Sequence, residues 1–299
     1  MTALAESPTL HALLERLVDY AGLFPPAALS MREAAANYAA YRASPDVWML
    51  GRFVVPIARL DALRVESTRW IDGREGPWAL SGLAGTDQAA DAESLRAFNR
   101  AQRGRLVVDT VELRAATAPA IDAALRSFGP DVEVFVEIPL DDDPRPLLEV
   151  VKRHGACAKV RTGGTTASAF PGATVLARFL SVCVALELPF KATAGLHHPL
   201  RGEQPLTYDN GAPSATMFGF LNVFLAAGFA RAGLEEASVV QLLEERDARA
   251  FSFADDAVTW RGDRLTREQI DDARHSFALA FGSCSFREPV DDLHQLAFL

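Results

Sequence analysis

Ala156-Cys-Ala-Lys-Val-Arg-Thr-Gly-Gly164 and Pro189-Phe-Lys-Ala-Thr-Ala-Gly195 are two short apolar stretches. Each carries one lysine and runs into glycine, and the long apolar run 170–187 separates them. Length arbitrates between the possible readings: runs of four to six residues bounded by turn signals suit buried strands, and an eighteen-residue run between them suits a helix. The unit is therefore strand–helix–strand, and it repeats in both directions. Expected strands lie at 21–24 (closed by Pro25-Pro26), 50–57, 78–83, 106–113, 132–138, 157–161, 190–194 and 250–253.

Helix starts fall between them. Ser30-Met-Arg-Glu33 is a capping box, Thr86-Asp87 opens a helix through about Gln102, and Asp143-Pro144 places proline in a first turn. Residues 216–232 form another long apolar helix, and Thr266-Arg-Glu-Gln269 caps one running to about Gly282. Eight strands alternating with helices point to an α/β fold, a (β/α)8 TIM barrel. A doubly wound sheet is the competing reading, but no Gly-rich dinucleotide loop follows the early strands. Asp255-Asp256 followed by Val258-Thr-Trp-Arg-Gly-Asp263 reads as a small hairpin extending the last strand. No linker or charge block divides the chain, so residues 1–299 form one domain, with a C-terminal helix and tail from about 265 to 299.

The lysines carry the chemistry. Lys152, Lys159 and Lys191 are the only three among 30 Lys+Arg residues. An arginine cannot lose its proton, whereas a lysine can. Side chains alternate along a strand, so Cys157, Lys159 and Arg161 share one face, as do Lys191 and Thr193. If those faces line the barrel, two ammonium groups meet on neighbouring strands. Repulsion and desolvation would then lower at least one pKa and make a nucleophilic amine. The competing reading is a pair of fixed charges holding an anion.

Glu137, at a strand end, and Asp109 are the best-placed carboxylates for proton transfer, with Glu112 a third because the strand phase around Asp109 is ambiguous. The long polar loop 195–211 follows Lys191. Long loops in compact barrels serve as lids or binding loops. Its His197, His198 and Arg201, with Arg161 and Thr193, are candidate substrate-binding groups. Tyr208, Asp209 and Asn210 could complete a lid. Ala21-Gly-Leu-Phe-Pro-Pro26 is either a rim loop or a helix stop, and Asn222 is either a site residue or a satisfied buried amide.

These segments resemble a family. Val134-Phe-Val-Glu137, Lys159-Val-Arg-Thr-Gly-Gly164 and Lys191-Ala-Thr-Ala-Gly195 are similar to the second half of the class I (Schiff-base) aldolase barrel of the deoxyribose-phosphate aldolase type. There a strand ends in an acidic residue, the next carries Lys-Thr-x-Thr-Gly, and the next Lys-x-x-Gly-Gly. The resemblance covers roughly residues 132–199. It implies that Lys159 forms the imine and Lys191 lowers its pKa. Arg161 stands where that family has a small polar residue, which implies a different anion contact. The expected last strand, Phe251-Ser-Phe-Ala-Asp-Asp256, lacks the family's Gly-Ser phosphate loop.

Bulk composition sets the remaining limits. A net charge of −9 argues against nucleic-acid binding, while the basic residues near the lysines point to a small anionic ligand, which with an amine nucleophile becomes a small anionic carbonyl substrate. Cys157, Cys183 and Cys284 are too scattered for disulfides and read as buried thiols in a reducing compartment. Residues 1–8 show no leader, and the apolar runs, broken by Arg178 and Asn222, read as too short to span a bilayer. A cytoplasmic enzyme free of the membrane is expected. His197, Glu137 and Asp109 could ligate a metal, but two strand lysines oppose a divalent cation, so neither metal nor other cofactor is expected. The amphipathic C-terminus could dock on the barrel or on a second subunit, making a homo-oligomer.

The resulting expectation is a lyase that cleaves a carbon–carbon bond through a lysine imine. Its rivals are a barrel isomerase or epimerase, with or without a metal, and a non-catalytic anion-binding barrel.

Overall fold

In the computed structural model, which describes residues 7–71, 76–102 and 104–299, eight parallel strands close into a barrel. They are β1 (Val18–Tyr20), β2 (Leu50–Pro56), β3 (Trp78–Leu83), β4 (Leu106–Arg114), β5 (Glu133–Glu137), β6 (Cys157–Arg161), β7 (Phe190–Thr193) and β13 (Ala278–Ser283). A hairpin, β8 (Gly202–Pro205) with β9 (Ser214–Met217), rises from the loop after β7. An antiparallel meander, β10 (Phe251–Phe253), β11 (Ala257–Trp260) and β12 (Asp263–Thr266), stands outside the barrel. The (β/α)8 TIM-barrel fold is thus present.

Two strand expectations are corrected. The first barrel strand is Val18–Tyr20, not 21–24, whose residues form the rim loop above it. The eighth is Ala278–Ser283, not 250–253. Residues 251–253 are extended but pair only with β11, so the hairpin expected after Phe253 is real and belongs to the separate meander. The helix capped at Thr266 ends at Ser276, where Phe277 leaves helical geometry and the chain turns into β13. Residues 1–6, on which the reading of no leader partly rests, lie outside the described residues.

Alternation along the strands separates scaffold from site. On β7, Phe190 packs edge-on against Phe179 and Phe277, while Lys191 and Thr193 face the barrel interior. On β13, Phe281 stacks on Phe220 of the helix Phe220–Arg231, and the small Ala280 and Gly282 lie beside Lys191 and Thr193. The outer faces therefore bury aromatic and aliphatic surface against helices. The inner faces are left to carry charge.

Residues Ala167–Ala185 are long and apolar enough by composition to cross a membrane, which the length argument from sequence missed. In the fold, its helix Ala173–Ala185 buries Leu176, Phe179, Leu180 and Cys183. Asn222 is a satisfied buried amide: its Nδ2 donates to the carbonyls of Leu242 and Glu245, and its Oδ1 accepts from the Arg201 N–H. The C-terminal helix Arg287–Gln295 buries Pro289, Val290 and Leu293, the last two within the hydrophobic core.

Candidate active site

Parallel register brings four charged residues into one row across adjacent strands. Arg114 on β4 pairs with Glu137 on β5, Glu137 with Lys159 on β6, and Lys159 with Lys191 on β7. Register partners in parallel strands project to the same side, so all four side chains enter the barrel. Row-mate Ala280 on β13 is small and leaves space beside them.

Glu112, one row below, ties the lysines together. Its Oε2 lies 2.9 Å from Lys159 Nζ and its Oε1 lies 2.6 Å from Lys191 Nζ. Ser81 Oγ donates to the same Oε1 at 2.7 Å. Lys159 also reaches Glu137 at 3.1 Å, and Lys191 reaches Asp19 on β1 at 2.6 Å. Arg161 and Arg114 both converge on Glu137 Oε1, at 2.8 and 2.5 Å. Lys159, Lys191, Glu112 and Glu137 are all buried.

The electrostatics differ from the sequence expectation in one respect. Bare ammonium neighbours would repel and lower a lysine pKa, but Glu112 sits between them. Burial pulls Lys191 down, yet the carboxylates of Asp19 and Glu112 outweigh it and hold its pKa above the ordinary value. Lys191 is a fixed cation. Burial likewise pushes Glu112 and Glu137 up, but Lys159 and Lys191 around the first, and Lys159, Arg161 and Arg114 around the second, hold both below the usual carboxylate range.

A cavity of about 600 Å³ opens above this row, lined by Lys159, Glu112, Glu137, Arg114, Arg161 and Thr193, with Phe24, Pro25 and Pro26 of the rim loop. Lys191 lies beneath its floor, not among the lining residues. Lys159 is thus the amine that a ligand can touch. The loop after β7 covers the mouth and is fastened to the last helix. His197 Nδ1 lies 3.0 Å and Tyr208 Oη 2.8 Å from Glu288 Oε2, and His198 Nδ1 lies 2.5 Å from Asp292. Burial opposes protonation of His197, but its hydrogen bonds to Cys284 and Glu288 raise its pKa to about 9.

Glycine lets the two lysine strands turn over the cavity together. A Cβ on Gly163 would fall 2.8 Å from Gly195 Cα and 2.4 Å from the Phe170 ring. Gly195 itself adopts φ +75°, in the region L-residues avoid.

Several sequence candidates sit elsewhere. Asp109 is not at the lysines: it lies at a register shift between β3 and β4 and pairs with Arg52 at 2.7 Å, and that shift explains why its phase was ambiguous. Glu112 takes the place expected of it. Arg201 is outside the cavity lining, with its guanidinium 4.7 Å from the Phe218 ring. His198 lines the cavity but is committed to Asp292. The third lysine, Lys152, donates to the Glu187 carbonyl at the end of the helix before β7.

Sequence reasoning passed over three site residues. Asp19 was lost with the misplaced first strand. Arg114 lay just beyond the expected end of β4, and Glu288 follows the unrecognised β13. That strand closes on Gly282-Ser283, so the segment 251–256 is not where the last barrel strand ends. Its place in the chain was the signal, since a helix begins four residues later. Among the described residues, no group of three or more His, Cys, Asp or Glu side chains is arranged to hold a metal ion. No family model, curated protein or solved structure matches this chain.

Proposed function

We propose that this barrel is a lyase of the class I aldolase kind, acting on a small anionic carbonyl compound through an imine on Lys159. The observation that carries the reading is the position of one buried lysine. Lys159 lines the cavity between Glu112 and Glu137, while the second lysine in register is locked beneath the floor by Asp19 and Glu112. The partial resemblance to Schiff-base aldolases points the same way.

The chemistry follows from reach. Attack on a carbonyl requires the Lys159 amine to give up a proton, and Glu112 and Glu137 are the acceptors within 3.1 Å. The same carboxylates can return a proton to the departing carbonyl oxygen, which leaves as water. Lys191 keeps its charge and holds Glu112 in place. It acts on Lys159 through that carboxylate and does not touch the substrate. The positive iminium that forms is matched by carboxylates already fixed in a water-poor pocket, which stabilises developing charge without reorganisation.

The experiment is α-hydrogen exchange. Incubated in D2O with small ketones and aldehydes, the protein should wash deuterium into the carbon beside the carbonyl, because the iminium acidifies its α-hydrogens and exchanges them through the enamine. Borohydride added with the carbonyl should abolish the exchange irreversibly, and Lys159→Met should lack it. Exchange that persists after borohydride would instead favour an isomerase in which Glu112 or Glu137 moves protons without an imine.

A further inference from the structure

We infer that the carbonyl substrate of this site is a 2-oxo acid, its carboxylate held by Arg161 and Arg114 beside the carbon that Lys159 attacks. The inference rests on the imine reading and specifies it. Arg161 lies one row above Lys159 on the same strand face, and Arg114 lies in the Lys159 row. Both guanidinium groups grip Glu137 Oε1, while Lys159 grips Oε2 of the same carboxylate. The arginines are therefore a single carboxylate's width from the amine.

That spacing selects the substrate. In a 2-oxo acid the carboxylate is bonded directly to the carbon under attack, so its oxygens stay next to the new C–N bond. An anion several carbons further along would lie toward the mouth. There the groups after β13 are Glu288 and the residues that bind it, His197 and Tyr208, a carboxylate whose partners are already engaged. The arginines offer more: Arg161 gives Nε to Glu137 at 2.8 Å, but its Nη1 and Nη2 make only 3.5 Å contacts, to the Gly163 carbonyl and to Glu137, and each of these nitrogens carries a second N–H. Arg114 gives Nε and Nη2 to Glu137, while its Nη1 has no protein partner among the described residues, and both side chains line the cavity. Arg161 is half-buried and Arg114 exposed there, unlike the buried lysines. The network sets Lys159, Lys191, Arg114 and Arg161 against Asp19, Glu112 and Glu137, one positive charge in excess, which a monoanion neutralises. Row-mates Thr193 and Gly282 beside Arg161 leave room for the rest of the molecule.

For a 4-hydroxy-2-oxo acid the step balances with water as co-reactant. Lys159 adds to C2 and the carbonyl oxygen leaves as water, giving the iminium. Glu112 or Glu137 takes the C4 hydroxyl proton, and the C3–C4 bond breaks. An aldehyde departs, and the electron pair remains as the enamine. The protonated carboxyl delivers its proton to C3, and water hydrolyses the iminium to the shorter 2-oxo acid and free amine.

The test compares borohydride trapping of pyruvate with that of hydroxyacetone, which replaces the carboxylate by an uncharged hydroxymethyl group. A charge-assisted guanidinium contact to carboxylate predicts pyruvate trapped about ten- to a hundredfold faster. In Arg161→Gln and Arg114→Gln that ratio should fall toward unity. Equal or faster trapping of hydroxyacetone by the parent protein would overturn the 2-oxo acid assignment while leaving imine chemistry standing. No trapping with any carbonyl would remove the imine reading and this inference with it. The parent protein's ratio decides the matter even if a variant fails to fold.

Discussion

Replacing Lys191 by methionine removes one ammonium and leaves two buried carboxylates to face each other. Among the described residues, Asp19 keeps only the Arg52 backbone N–H, at 2.6 Å, and Glu112 keeps Lys159 and Ser81. Breaking a buried ion pair from one side costs about 3–5 kcal/mol. At about 2.1 cal/mol/K of unfolding entropy per residue, a chain of 299 residues loses roughly 5–8 °C of melting temperature for that cost. The sign with pH follows from which state binds protons. In the parent, Glu112 has a depressed pKa, so its contribution is present above the ordinary glutamate value and is lost as pH falls below it. In Lys191→Met the orphaned pair is pushed up instead. The folded variant then takes up a proton that the parent does not, and the gap between the two narrows by about 1–2 kcal/mol from pH 7 to pH 5. Adding Asp19→Asn removes the surplus charge, so the double variant should melt above Lys191→Met, with a coupling of about 1.5 kcal/mol or more. Thermal melts of the three variants at both pH values test this. A Lys191→Met protein that melts with the parent, or a strictly additive double variant, would refute the network.

Other consequences follow from single contacts. With its pKa raised, His197 stabilises the fastened loop after β7 fully below pH 6.5, and that contribution is lost as pH rises through about 9. Limited proteolysis within residues 200–213 should therefore accelerate between pH 7 and pH 9.5 in the parent and become pH-independent in His197→Gln. Gly163→Ala drives a Cβ into the Gly195 backbone and the Phe170 ring, so carbonyl trapping should slow at least tenfold in a protein that still folds. Arg274, buried and with no carboxylate partner among the described residues, donates to the carbonyls of Leu13, Glu15, Ala278 and Leu279. Arg274→Met orphans these acceptors and should cost about 3–5 kcal/mol in a thermal melt, without altering borohydride trapping per folded molecule.

What the chain revealed, and what it hid, has a physical pattern. β6 and β7 were legible because each is a short apolar run with glycine at its end, and the intervening apolar stretch is long enough to be only a helix. Once alternation placed Lys159 and Lys191 on inward faces, the lysine pair followed. β13 escaped because Ala-Leu-Ala-Phe suits a helix as well as a strand, and a well-capped helix runs directly into it. Residues 251–253 carry a true strand signal, but pattern cannot say which sheet a strand joins. Alternation failed where register slips: Asp109 sits at a shift, so counting from it put the wrong carboxylate at the lysines. That Glu112 touches both lysines was beyond local reading, because it depends on three strands distant in sequence.

The central claim is that Lys159, and no other amine, carries the chemistry. With only three lysines in the chain, peptide mapping of a borohydride-reduced pyruvate adduct reads the answer directly. The account predicts one reduced adduct, on Lys159, formed by the parent and absent in Lys159→Met. An adduct on Lys191 or Lys152, or none with any carbonyl tried, would contradict it.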